Sequence, residues 1–465
     1  MKKFYIFKIT IFVLIILIPI FNFNFKSNQI STIDNRMLMD ANDIISEGDL
    51  TSNIESYVND RIGFRTEMVN AYIRGMDSLF GEMVHPIYQY GQNGYIFSKV
   101  STMTLNKEFN DVYAEFISNF QKYCNDRGID FLYAVEPSKA TVYTEYLPEG
   151  YTYNTQSLDY FINLLQEKNI NFVNNADTLL EAKNETQVFD PMFDAGHWNE
   201  TGAIIGISAI LDRLNMLDSR VGKFDINKYE SKEYINTTLS SSYFPINETT
   251  IKYELINSNA KYIKDYEDEI VRSENFAGYS HYINNSNEDK PRILIFSGSY
   301  FNNKEKFLVE SFSEVMKIHN YHNVINYDYY INIFNPDIVL FESTEYTHSD
   351  YYFPISSMEN VIHNEYIKNY TNLEEDDFVS ISDNSITLGN GKLTNFLIPF
   401  SGDDVLCAYA NLNGRFLDCK IESNEMGRFL TFSIITSEIE DLTNFDLYFI
   451  SKDEKRYEVI NCYIN

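Results

Sequence analysis

The sequence predicts an α/β fold: a parallel sheet with helices on both faces, set between one membrane-spanning helix and a small carboxy-terminal β-sandwich. Three observations carry this. An apolar run spans Phe4 to Phe21, and from Leu105 amphipathic stripes at helical spacing alternate with short apolar runs of strand length. Beyond Asp377, short alternating runs recur between turns at roughly ten-residue spacing, the pattern of an all-β module. At 465 residues the chain is long enough for several domains, and 44% hydrophobic with 15% aromatic content is that of packed globular structure. With 37 Lys plus Arg against 67 Asp plus Glu, the net charge is -30. Such a field repels phosphate backbones, which excludes nucleic acid as the expected partner and leaves neutral glycans open.

Lys2, Lys3 and Lys8 precede or interrupt the first apolar run. As a helix, those residues reach about 27 Å, close to the thickness of a bilayer core. No small-x-small cleavage site follows, so an uncleaved anchor is expected over residues 1–28. Its amino-terminal positive charges keep that end in the cytoplasm and place the rest of the chain outside.

The body of the α/β layer is expected over residues 29–365. A helix is predicted over Thr66–Phe80, and turn signals at Gly91-Gln92-Asn93-Gly94 precede a short strand, Tyr95–Phe97. Leu105–Asn125 carries Phe109, Val112, Tyr113, Phe116, Phe120 and Tyr123 on one helical stripe, and Asp130–Val135 reads as a buried strand. A helix over Ser157–Glu167, a strand over Asn171–Val173 and a helix over Glu200–Leu214 continue the alternation. Residues 218–290 are polar, rich in Asn and Tyr and weakly periodic, and read as an insertion. Arg292–Phe296 is the cleanest buried strand. A helix over Lys304–Ile318, helical structure over Tyr329–Phe334 and a strand over Asp337–Phe341 follow. Residues 366–465 form the β module, with strands at Ser385–Leu388, Asn395–Pro399, Phe429–Ile435 and Asp446–Ile450.

Three strand ends attract chemistry. In Phe193-Asp194-Ala195-Gly196-His197-Trp198-Asn199, Asp194 and His197 sit three apart before a helix that Asn199 can cap. A carboxylate there can accept the Nδ1 hydrogen and steady the imidazolium, which makes His197 a candidate general base; a structural His beside a helix cap reads the same way. In Ile295-Phe296-Ser297-Gly298-Ser299-Tyr300 a buried strand ends in a tight turn, presenting the Ser299 hydroxyl above the carboxyl edge of the sheet. Ser299 is the candidate nucleophile, although Ser-Gly-Ser is also ordinary turn chemistry. Val135-Glu136-Pro137-Ser138-Lys139 ends another strand on that edge, where it can position substrate or simply leave the sheet. The four cysteines, Cys124, Cys407, Cys419 and Cys462, form no CxxC, and the seven His form no HExxH pair. No metal and no cofactor are expected.

Together these segments resemble the SGNH-hydrolase-like sugar O-acetyltransferases of the alginate acetylation type (AlgJ and AlgX) and the related DHHW proteins. The resemblance runs through Asp34-Asn35-Arg36, Asp60-Arg61-Ile62-Gly63-Phe64-Arg65, Gly91-Gln92-Asn93-Gly94-Tyr95-Ile96-Phe97 and Pro137-Ser138-Lys139 with Tyr143 and Tyr146-Leu147-Pro148. It continues through Asp194-Ala195-Gly196-His197-Trp198-Asn199 with Gly202-Ala203, the strand before Ser299, and Pro336-Asp337-Ile338-Val339-Leu340 with Glu342 and Glu345. As in that family, the Asp and His precede the Ser. The spacing here is DxxH where the alginate-type proteins more often have DxH, and Ser297-Gly298-Ser299 stands where Gly-Asp-Ser is usual.

The resemblance implies an SGNH-like, flavodoxin-like α/β domain with Ser299, His197 and Asp194 as the catalytic residues of a Ser-His-Asp acyl-enzyme mechanism. It places Lys139, Ser138, Trp198, Tyr300, Glu342 and Glu345 as substrate-binding residues. The implied activity is acyl transfer, foremost acetyl transfer, to a cell-envelope or exported polysaccharide, with a polytopic membrane-bound O-acyltransferase as donor partner. Two other readings stay open: a carbohydrate esterase using the same triad, and a non-catalytic glycan-binding scaffold.

Overall fold

Alternation along the central strands decides the architecture. The computed structural model describes residues 2–31, 36–45, 49–99, 104–240, 244–381, 385–386, 391–424 and 427–464. Asp34 and Asn35 of the first resemblance segment, and the outer half of the expected strand Ser385–Leu388, lie outside the described residues.

The chain begins with α1 (Lys2–Phe21), an apolar, almost wholly exposed helix long enough to cross a bilayer. Helices α2 (Leu50–Arg61) and α3 (Arg65–Phe80) follow, then a small hairpin of Tyr88–Tyr90 with Ile96–Ser98. Helix α4 (Lys107–Asp126) is capped by the Asn106 side chain, which accepts the Phe109 N–H, and its aromatic stripe is buried as the spacing predicts. It leads into β1 (Asp130–Glu136), α5 (Gln156–Glu167), β2 (Phe172–Asn174) and α6 (Glu200–Leu217). Next come β3 (Tyr229–Thr238), β4 (Pro245–Leu255), β5 (Ala260–Tyr262), β6 (Tyr279–Asn284), β7 (Arg292–Ser297), β8 (Glu314–His319), α7 (Tyr327–Phe334) and β9 (Ile338–Thr344).

Seven strands form the central sheet in the order β2-β1-β9-β7-β8-β6-β5. The first five are mutually parallel, whereas β6 runs antiparallel to β8 and β5 antiparallel to β6. The sheet is therefore mixed, because the polar stretch between α6 and β7 supplies two antiparallel edge strands. The expected helix over Lys304–Ile318 is absent: a short 3-10 turn at Glu305–Phe307 is followed by strand β8. Strand pairing explains this, since β8 exchanges backbone hydrogen bonds with β7 on one side and with β6 on the other.

Residues of β1, β7 and β9 alternate between two cores. Phe131, Tyr133, Leu294, Phe296, Val339 and Phe341 face α4, α5 and α7, and Leu132, Ala134, Ile293, Ile295, Ile338 and Leu340 face α6. Glu136, Ser297, Glu342 and Thr344 share the parity of this second set at the carboxyl end of the sheet. Helix α6 approaches closely through Gly202, where a Cβ would stand 2.2 Å from the Val188 carbonyl oxygen. Gly202→Ala is expected to destabilise the protein by about 1–3 kcal/mol through overpacking, read as a lower urea midpoint at unchanged m-value.

The carboxy-terminal strands are β10 (Leu393–Ser401), β11 (Val405–Leu412), β12 (Arg415–Asn424), β13 (Gly427–Ile435), β14 (Asn444–Ser451) and β15 (Arg456–Ile464). The first half of β12 pairs with β11 and the second half with β13, so this strand passes from one layer to the other. Phe396, Ile398, Ala408, Leu417, Leu430, Phe432, Leu447 and Phe449 fill the space between them. The module is tied to the α/β layer by Arg127, whose guanidinium meets the Asp418 carboxylate at 3.1 and 2.6 Å, and by Asn332, whose amide donates to the Asp418 carbonyl at 2.8 Å.

Candidate active site

The loop before α6 and the turn after β7 meet at the carboxyl edge of the parallel strands, the rim where open α/β sheets hold their ligands. The Asn199 side chain caps α6 by accepting the Gly202 N–H at 2.8 Å, and this fixes the loop that carries His197. Asp194 closes the same turn. Its Oδ1 accepts the backbone N–H groups of Gly196 and His197 at 3.0 Å each, and both carboxylate oxygens stand 3.1 Å from His197 Nδ1. The other ring nitrogen, Nε2, lies 2.9 Å from Ser299 Oγ. The three side chains therefore form one continuous hydrogen-bonded line across some hundred residues of sequence.

Electrostatics follows from this geometry. Burial disfavours the charged carboxylate of Asp194, but the imidazole and the two N–H groups outweigh it and hold the carboxyl well below its usual range. Burial likewise disfavours charge on His197, yet the Asp194 carboxylate prevails and raises the imidazole above its ordinary value. An ionised Asp194 accepts the Nδ1 proton and leaves Nε2 as acceptor toward Ser299. The His197 side chain is 37% exposed, so the line opens to solvent on one side. Tyr346, just past the end of β9, is an electrostatic neighbour of Ser299.

The structure gathers the six expected substrate-binding residues around and beneath this line, with their polar groups bound to the protein itself. Lys139 is buried, and its ammonium donates to the carbonyls of Ile96 at 2.7 Å, Pro191 at 3.0 Å and Asp194 at 3.3 Å. Burial lowers its pKa to about 8. It thus clamps the small hairpin to the Asp194 loop and does not reach the opening. Ser138 and Glu345 meet each other: the Glu345 carboxylate accepts the Ser138 N–H at 2.8 Å and the Tyr153 hydroxyl at 3.0 Å, together with the Thr141 hydroxyl. Trp198 is buried and donates its indole N–H to the Tyr300 carbonyl at 2.9 Å. The buried Tyr300 hydroxyl contacts the carbonyls of Gly196 at 2.7 Å and Pro137 at 2.9 Å, tying the His197 loop to the end of β1.

Glu342 lies directly under the turn, fully buried, and its Oε2 accepts the Gly298 N–H at 2.8 Å. Asn320 braces it by donating to the Glu342 carbonyl. Glu136, also fully buried, is held by the Asn175 amide at 2.9 and 3.0 Å. Burial pushes Glu342 up to about 8 and raises Glu136 well above the usual range, where the neighbouring Glu342 adds to the rise.

Sequence reasoning passed over Tyr346, Lys304 and Glu248. Tyr346 directly follows Glu345, and Lys304, which disfavours charge on His197, opens the segment whose spacing predicts a helix. Glu248, in β4, accepts the Met192 N–H at 3.0 Å and also the Phe193 N–H, so the β3–β4 ribbon supports the Asp194 loop. No local pattern marks such a contact. Neither of two cavities, about 450 Å³ beside Tyr327 and Lys420 and about 310 Å³ beside Tyr370 and Tyr448, is lined by Asp194, His197 or Ser299.

Comparison with known proteins agrees with the resemblance. Residues 89–278 match the family model described as SGNH hydrolase-like domain, acetyltransferase AlgX. Asp194 and His197 fall inside that stretch, and Ser299 lies beyond it. No curated protein matches the chain. Solved structures that resemble it include Bacillus cereus PatB1, at 18% identity and a TM-score of 0.45, over 56% of this chain and 96% of that one. The O-acetyltransferase domain of Pseudomonas putida AlgJ aligns at 16% identity and a TM-score of 0.41, over 59% of this chain and 99% of the other. Pseudomonas aeruginosa AlgX aligns at 13% identity and a TM-score of 0.39, over 80% and 90%. The central mixed sheet with helices on both faces is an SGNH-like α/β fold, and within it residues 89–278 are similar to the AlgX-type acetyltransferase domain.

Proposed function

We propose that the protein is an O-acyltransferase, foremost an O-acetyltransferase, held on the outer face of a membrane by α1 and acting on a cell-envelope or exported polysaccharide. The observation that carries this reading is the unbroken Asp194–His197–Ser299 line, with 3.1 and 2.9 Å contacts, at the carboxyl edge of the sheet. In the first half-reaction His197 Nε2 takes the Ser299 proton as Oγ attacks the donor's acyl carbonyl. The carbonyl electrons move to oxygen, where backbone N–H groups around Ser299 meet the charge in this reading. Collapse expels the donor's leaving group, which takes the proton from His197, and the acyl group remains on Ser299. In the second half-reaction a sugar hydroxyl loses its proton to His197 and attacks the acyl-enzyme, and Ser299 leaves with that proton. Asp194 steadies the imidazolium in both. Acyl thioesters are confined to the cytoplasm, so a polytopic membrane-bound O-acyltransferase is the donor partner in this reading.

The open side of His197 admits water, so hydrolysis competes. Incubating the protein with a chromogenic acetyl ester, with and without glycan, tests the proposal. Ester turnover that deposits acetyl groups on glycan supports transfer; turnover that yields free acetate alone, whatever glycan is supplied, makes the protein an esterase; no turnover leaves the scaffold reading.

Glu342 supplies a separate check. Glu342→Gln keeps an acceptor for the Gly298 N–H, whereas Glu342→Leu leaves that buried donor unpaired and frees the turn. The Leu variant is expected to lose about tenfold or more in kcat, and the Gln variant to stay near wild type, measured with the same ester.

A further inference from the structure

Large apolar side chains that face solvent are concentrated between Phe25 and Val84, directly after α1. On α2 they are Leu50, Ile54 and Val58, and along α3, besides Phe80 at its last position, they are Phe64, Met68, Tyr72 and Leu79. Each set recurs at intervals of four or seven residues, so each forms one stripe along its helix. Tyr72 is 56% and Leu79 76% exposed, a poor arrangement for a helix surrounded by water on that side.

The opposite face of α3 is occupied. Val69 and Ile73 pack with Tyr88, Ile96 and Ala195, and Ala195 adjoins Asp194 in the candidate active-site loop. This helix therefore has the active-site loop on one face and, elsewhere on its surface, an apolar stripe that none of the described residues covers.

The corner between α2 and α3 is fastened to the end of α1. The Gly63 N–H donates to the Pro19 carbonyl at 2.9 Å, and the Asn24 N–H donates to the Arg61 carbonyl at 2.7 Å. A Cβ on Gly63 would stand 2.5 Å from the Asn22 carbonyl oxygen, so the corner and the end of α1 are in backbone contact. Arg61 is buried, and its guanidinium donates to the carbonyls of Lys26 and Met39 and to the Asp40 carboxylate, which locks the connecting chain. Helix α1 is 20 residues long, about 30 Å, which is the thickness of a hydrocarbon core. When α1 spans the bilayer, Pro19 sits at the outer boundary of the hydrocarbon, and Gly63 sits there with it.

We propose that α2 and α3 lie on the outer leaflet with their apolar stripes in the headgroup–acyl boundary, and that α3 thereby holds the Asp194–His197 loop at the membrane surface. The inference rests on the reading of α1 as a membrane-spanning helix. Lipid is the occupant because the stripes continue the exposed apolar surface of α1 through a backbone hydrogen bond, at the level where the hydrocarbon ends. A site held there meets an acyl group as it emerges from the bilayer.

The test uses the full chain in vesicles of phosphatidylcholine with a minority of phosphatidylglycerol, carrying bromine either near the headgroups or at the bilayer centre. Trp198 is the only tryptophan and is buried, so it supplies a constant background. Met68→Trp, Tyr72→Trp and Leu79→Trp place probes on the stripe at positions already exposed, where folding is little affected. Ile15→Trp reports on α1, and Lys452→Trp on the far module. Headgroup-side bromine is expected to at least halve the emission of the three stripe probes and to leave Lys452→Trp unchanged, while central bromine quenches Ile15→Trp. Quenching of Ile15→Trp with unquenched stripe probes overturns the inference and leaves the anchor standing, the outcome if a protein partner covers the stripe. An unquenched Ile15→Trp overturns both.

Discussion

Ser299→Ala is expected to lower acyl transfer by about 10⁴-fold or more while leaving the fold intact. The substitution removes the only atom in this account that forms a bond to the acyl group. Structural cost is small. Ser299 is half-buried, and the loss is its hydrogen bond to His197 at 2.9 Å. Turnover of a chromogenic acetyl ester measures the first expectation, and an unchanged urea midpoint the second. A variant that keeps even a tenth of wild-type turnover assigns the chemistry elsewhere.

Asp194→Asn is expected to cost about 10³- to 10⁴-fold in kcat. The amide still fits the turn, but it removes the charge that steadies the imidazolium, and its NH2 can hold the imidazole in the wrong tautomer. The pH dependence gives a second signature. Transfer needs neutral His197 to accept the Ser299 proton, and Asp194 raises the His197 pKa above the ordinary 6.5. Wild-type rate should therefore fall as pH drops through a value above 6.5, and in Asp194→Asn that limb should move to lower pH. Stability carries the same sign. The lowered Asp194 stabilises the fold above its unfolded-state range and loses that contribution as acid protonates it. The raised His197 stabilises below 6.5 and loses its contribution as pH rises through the folded value. The pair is thus most stabilising between the carboxyl range and the His197 titration, a window that Asp194→Asn should abolish in pH-dependent urea melts.

Particular elements show why some of this was legible in the sequence. Strands β1, β7 and β9 are buried on both faces, so their continuous apolar runs stand out, and Asn199 advertises the start of α6 through its cap. Segment Lys304–Ile318 reads as a helix because Phe307, Leu308, Phe312 and Val315 have helical spacing. Its real partner, β6, lies in a polar stretch that no local pattern links to it. Ribbon β3–β4 is mostly solvent-facing, so it lacks the apolar alternation that marks a strand, and its Glu248 contact to the Asp194 loop spans more than fifty residues. At the site, short-range spacing put Asp194 beside His197 and strand-end position put Ser299 on the same rim. Lys139 and Trp198 carried no mark of burial. A lysine bound to three backbone carbonyls looks, in one dimension, like a lysine awaiting substrate.

The central claim, that Ser299 carries the acyl group between donor and acceptor, is tested most directly by trapping it. The protein is mixed with an activated acetyl ester, quenched in acid before deacylation is complete, and digested for peptide mass spectrometry. One acetyl group on the peptide containing Ser299, absent from Ser299→Ala and discharged when glycan is added, is the predicted result. Turnover at wild-type rate with Ser299 never acetylated, or acetyl found equally on Ser299→Ala, would contradict the account.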